Sequence, residues 1–102
     1  MLTVPLQPIP NQTLQVQLGN QACTLNVYQY TYGLFMDVYV GTTLIIGGVL
    51  CENMVLIVRA AYLGFVGDFV FVDTTGEGAN PVYTGFGVNG RYQLVYLNAD
   101  ET

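Results

Sequence analysis

The chain has 102 residues, enough for one domain and short of two. Apolar residues make up 52% and charged residues 9%, with seven acids against two bases, Arg59 and Arg91, for a formal charge of -5. Lysine, histidine, tryptophan and serine are absent, which removes the imidazole base and metal ligand, the serine nucleophile and the Schiff-base lysine.

A pI near 4.1 leaves no basic footprint for phosphates, so direct nucleic-acid contact is not expected. Residues 1–10 carry neither the positive charge nor the apolar block of a signal peptide. The longest apolar stretch, 38–51, is shorter than the ~20 residues a membrane helix needs, so no membrane partner is expected either. Cys23 and Cys51 would pair only in an oxidising compartment; with nothing pointing to export, two buried free thiols are the expected state.

Pro5, Pro8 and Pro10 lack an N–H and fix φ, so residues 1–12 read as an extended arm or an edge strand. A single β domain follows over 13–97. In 13–18, Leu14, Val16 and Leu18 alternate with Gln15 and Gln17. Gly19-Asn20 is a turn signal, after which Cys23, Leu25 and Val27 share a face, completing a hairpin. Leu34 to Val40 reads as a third strand. Leu44 to Leu50 reads as a fourth, apolar enough to suggest burial on both faces, with Gly47-Gly48 as a bulge. Asn53 suggests a helix cap, against the β-branched Val55, Ile57 and Val58, and the segment 54–61 reads as a turn or a short helix. Phe69 to Val72 is a strand, 73–81 a loop, 82–87 a short strand, Asn89-Gly90 a hairpin turn and Arg91 to Leu97 the last strand. Residues 98–102 form an acidic tail. The whole predicts an all-β fold, a small antiparallel barrel or sandwich with a proline-rich N-terminal arm.

Few motifs suggest chemistry. Gly85-Phe86-Gly87-Val88-Asn89-Gly90 matches G-x-G-x-x-G, yet it leads into a strand where a dinucleotide site needs a helix. The oxygen-rich loop from Asp73 to Asn80 has no calcium-site spacing. Asn11-Gln12-Thr13 fits a glycosylation acceptor, which has no consequence without export. Asp37, inside an apolar strand, reads as a hydrogen-bonded structural carboxylate; as a catalytic group it would need Asp68 or Asp73 beside it. No catalytic residue, cofactor or metal is expected. Eight tyrosines, with apolar bodies and polar tips, favour surfaces that bind something.

The order of segments is similar to a family of small baseplate plug proteins from contractile-tailed phages. Val4-Pro5-Leu6-Gln7-Pro8-Ile9-Pro10-Asn11-Gln12-Thr13-Leu14 resembles the family's proline-rich lead into its first strand. Gly33 to Tyr39 resembles its aromatic-x-Asp-aliphatic strand, without the family's tryptophan. Leu44 to Leu50 resembles its glycine-containing strand, and Gly90 to Leu97 its closing strand. The resemblance implies a non-enzymatic virion protein, a trimer closing the distal end of the tail tube until DNA ejection. It implies contacts with itself and with hub, tube or spike proteins, and assembly in the host cytoplasm.

Contacts are expected at Leu2, Val4, Leu6, Ile9, Tyr30, Tyr32 and Tyr83, with the arm from Leu2 to Asn11 packing on a neighbour. Acids and arginines are expected on exposed rims. The alternative is a monomeric β-sandwich binding module, for example one for carbohydrate, using its tyrosines.

Overall fold

The computed structural model describes residues 2–18, 20–59, 67–87 and 90–98. These form seven strands: β1 (Leu2–Val4), β2 (Asn11–Leu18), β3 (Gln21–Tyr30), β4 (Gly33–Val40), β5 (Thr43–Leu50), β6 (Asp68–Asp73) and β7 (Tyr92–Leu97). They build two antiparallel sheets, one in the order β2-β3-β4-β5 and one in the order β1-β7-β6. Of the two expected architectures the sandwich is realised; the sheets do not close into a barrel.

Period-two alternation builds the larger sheet. Leu25, Val27, Leu34, Met36 and Val38 point inward from β3 and β4 and are at most 1% exposed. The smaller sheet answers with Phe69, Phe71, Leu94 and Tyr96, and all of these join one core. Phe69 meets Tyr96 edge-on with ring centroids 5.5 Å apart, and Phe71 stacks on Phe86 at 5.8 Å. Aromatic pairs of this kind add about 0.5–1.5 kcal/mol each beyond the area they bury. The turn between β2 and β3 places Asn20 at φ 63, a conformation asparagine tolerates.

Several expectations are corrected. The N-terminus takes the edge-strand alternative: Leu2 pairs with Tyr96 and Val4 with Leu94, so Val4 (2% exposed) and Leu6 (7%) enter the chain's own core. The first strand of the hairpin starts at Asn11, which pairs with Tyr28. β5 is not buried on both faces. It is an edge strand, with Leu44 52% and Leu50 42% exposed, because the sheet ends there. Its glycines do form a bulge: Met36 pairs with Val49 but Val38 with Ile46, which leaves Gly47 and Gly48 opposite Asp37.

Of the turn or short helix expected over 54–61 the turn is realised, with the Val55 N–H donating to the Glu52 carbonyl at 3.4 Å, and no helix forms over 54–59; residues 60 and 61 lie outside the described residues. The β-branched segment instead runs beside β6, through a parallel bridge from Asn53 to Phe71 and amide donations from Met54 to the Phe71 carbonyl and from Ile57 to the Phe69 carbonyl. Asn53 caps nothing helical; its Oδ1 accepts the Asp73 N–H at 2.9 Å. The expected strand over 82–87 is a single 3-10 turn at Tyr83–Gly85. Asn89 lies outside the described residues; Gly90 donates to the Gly87 carbonyl, closing a turn, but β7 pairs with β1 and β6 rather than with 82–87. Of the tail, only Asn98 is described.

Two acids expected on rims are buried. Asp68 is 4% exposed, and its carboxylate accepts four main-chain N–H groups, from Ile57, Val58, Arg59 and Phe69, at 2.7–3.1 Å. That capture fixes the 57–59 segment against the start of β6. Asp73 has no exposed side-chain surface. Arg91 donates to it through Nε and Nη2, each at 3.0 Å, and Thr75 and Ala79 complete its shell. The guanidinium beside it holds the Asp73 carboxyl well below the usual carboxylate range. Cys23 and Cys51 are buried and free. Burial pushes the Cys51 thiol up to about 12.

Candidate protein-contact surface

The outer face of the larger sheet is set by the residues between the core positions. Asn11, Thr13, Gln15 and Gln17 project from β2, Thr24, Asn26, Tyr28 and Tyr30 from β3, and Phe35, Asp37 and Tyr39 from β4. Uncharged amides, hydroxyls and phenols dominate it, and Asp37 is its single formal charge.

A polar ladder crosses all four strands of this face. Thr13 Oγ1 donates to Asn26 Oδ1 at 2.9 Å, and Asn26 Nδ2 donates to Asp37 Oδ2 at 3.4 Å. Asp37 Oδ1 accepts the Tyr28 hydroxyl at 2.9 Å and the Gly48 N–H at 2.7 Å. The register makes this possible, since Thr13 lies opposite Asn26 and Asn26 opposite Asp37. The β5 bulge turns the Gly48 amide towards Asp37, with Gly48 at φ +66. Burial, and then the Asp37 carboxylate, push the Tyr28 hydroxyl up to about 12, so it remains a donor at neutral pH. The ladder hydrogen-bonds both oxygens of the face's carboxylate within the chain, which lowers what a partner must supply to cover it.

Beside the ladder, the β3–β4 turn carries an aromatic cluster. Phe35 contacts Tyr30 at 5.5 Å and Tyr32 at 5.4 Å between centroids; Tyr30 and Tyr32 stack at 5.8 Å, and Tyr28 meets Tyr30 at 5.4 Å. Tyr30 is 52% and Tyr32 75% exposed. A shallow depression of about 510 Å³ lies between Asn11, Thr13, Asn26 and Tyr30.

The expected contact residues therefore divide. Leu2, Ile9, Tyr30 and Tyr32 are exposed. Tyr83 is half-buried, with its N–H donated to Gln29 Oε1 at 3.2 Å. Val4 and Leu6 face this chain's own core and are closed to a partner. Sequence reasoning missed Leu44 and Leu50, because an apolar run reads alike whether its strand is central or at an edge. It also missed the outer-face ladder, although the polar half of the same alternation, from Thr13 through Asn26 to Asp37, carried that signal.

The motifs that suggested chemistry fall into structural places. The G-x-G-x-x-G segment leads from the 3-10 turn to β7, and Asn11 and Thr13 lie in β2. Asp37 sits on the outer face of the larger sheet, whereas Asp68 and Asp73 mark the two ends of β6 in the smaller one, each with its own donors. Among the described residues no group of three or more His, Cys, Asp or Glu side chains is placed to hold a metal ion.

Comparison with curated proteins returns no match. A family model described as the cyanophage baseplate Pam3 plug gp18 matches residues 1–100. Nothing in the comparisons favours the carbohydrate-binding alternative. The match spans nearly the whole chain, both sheets and the contact face included, and the protein belongs to the family of this phage baseplate plug.

Proposed function

We propose that the chain closes the distal end of a contractile phage tail tube, as a trimer seated against the tail hub, and leaves when the sheath contracts. The family match over residues 1–100 carries this reading. The contact face supports it physically. A plug must hold through many moderate contacts and then release. An amide- and phenol-rich surface suits this, because it forms hydrogen bonds and apolar contacts and its one carboxylate already has hydrogen-bond donors within the chain. Leu2, Ile9, Tyr30 and Tyr32 are the exposed contact candidates, towards other copies or towards hub, tube or spike proteins. Assembly in the host cytoplasm fits two free cysteines and no disulfide. The role asks for binding and release alone, with no catalytic step.

The test is to quantify this protein in purified phage tails before and after induced contraction. Depletion from contracted tails supports the reading. Equal amounts in both states overturn it.

A further inference from the structure

The two sheets treat their edges differently. In the smaller sheet, β6 is covered by the chain's own Asn53 to Val58 segment, and β1 has three residues and runs into Pro5. Short strands, proline and covering segments are the usual guards against edge pairing. In the larger sheet both edges, β2 and β5, have eight residues and no charge or proline. Among the described residues, no main-chain group outside β4 bonds to the main chain of β5, and none outside β3 bonds to the main chain of β2, where Gln7 meets only the Gln12 side chain.

Both open edges also leave their inward apolar side chains only partly covered: Leu14 and Val16 on β2, Ile46 and Val49 on β5. We infer that the β5 edge of one copy pairs with the β2 edge of the next, joining the four-stranded sheets head to tail. The directions agree. Four antiparallel strands set β5 antiparallel to β2, so a rotated copy presents its β2 antiparallel to β5. The faces agree as well. With Gln17 opposite Leu44 on the outer face, the inner face brings Val16 to Ile46 and Leu14 to Val49, and the two irregularities that β5 already has, at Ile45 and at Gly47-Gly48, absorb the two extra residues. Each joint would supply partners for two rows of main-chain groups and cover four half-buried apolar side chains. A head-to-tail joint uses two different edges, so it closes a ring when the rotation allows. The inference rests on the proposal that the plug contains several copies, and it names the surface that joins them.

The test uses cysteines at the exposed Gln17 and Leu44 and a bismaleimide spanning about 10 Å, long enough for neighbouring strands about 4.8 Å apart. Cys23 and Cys51 are at most 2% exposed, and the wild type serves as the unlinked control. Light scattering first gives the mass of each variant. The Gln17→Cys/Leu44→Cys protein should link into a ladder that stops at the assembled mass, while Leu44→Cys alone stays unlinked. An assembled double variant that does not link, or Leu44→Cys linking to itself as a dimer, overturns the edge inference and leaves the plug reading standing. A monomer at tens of micromolar that also ignores tail proteins overturns both.

Discussion

The larger and smaller sheets share one core and handle polarity in opposite ways. The smaller sheet buries its charges: Asp68 collects four main-chain donors and Asp73 grips Arg91, and both bind loops to the fold. The larger sheet keeps one charge, Asp37, hydrogen-bonds it to Tyr28, Asn26 and Gly48, and otherwise presents uncharged amides, hydroxyls and aromatic rings. Polar groups in the first sheet serve the chain itself. Those in the second bond to one another across the strands and form an uncharged rim of amides and phenols around one carboxylate.

The largest expected effect on stability comes from Asp68. Asp68→Ala removes the shared carboxylate acceptor of four buried or half-buried N–H groups, of which Ile57 keeps the Phe69 carbonyl, and should cost about 3–5 kcal/mol, read as a shift of the denaturant midpoint. A cost below about 1 kcal/mol would break the contrast between the sheets. Leu25→Ala, from the fully buried centre of β3, should cost about 2–5 kcal/mol and measures what the larger sheet gives the shared core.

Acid separates the sheets by pH. The folded carboxyl of Asp73 titrates below its unfolded value, so its contribution is whole above the unfolded pKa, about pH 4, and is lost as pH falls further towards the folded value. Denaturant midpoints from pH 6 to pH 3 should fall more steeply in the wild type than in Arg91→Leu, which lacks the guanidinium. Parallel slopes would remove Asp73 from the account.

Gly48→Ala forces a side chain into φ +66 with open space around it and should cost about 1 kcal/mol, enough to report on the bulge that feeds the ladder. Smallest in stability is the exposed aromatic pair. Tyr30→Ala/Tyr32→Ala should shift the midpoint by under about 1 kcal/mol and yet weaken binding to tail proteins at least tenfold. Unchanged binding would sharpen the contact face towards the strand edges alone.

The alternation in 13–28 made the first hairpin and its inward face legible, because a half-buried strand writes its burial into every second residue. The apolar run 44–50 did not reveal its place, since the edge position of β5 depends on where the sheet stops, a property of the whole topology. The helix alternative for the 53–58 segment failed for a similar reason. Asn53 has the chemistry of a helix cap, but its partners, Asp73 and Asn80, lie 20 or more residues away. Asp68 and Asp73 looked like rim charges because the donors that allow their burial arrive from distant segments or from main-chain N–H groups, which every residue carries. Outer-face polarity was visible in the residues. Their union into one ladder required the register of four strands.

Amide hydrogen exchange tests the division between the sheets most directly. The assembled protein is compared with Gln17→Lys/Leu44→Lys, in which lysines guard both open edges. The account predicts that assembly slows exchange in β2 and β5 and leaves β6 and β7 unchanged. Protection gained in β1, β6 or β7, with β2 and β5 unchanged, would contradict it.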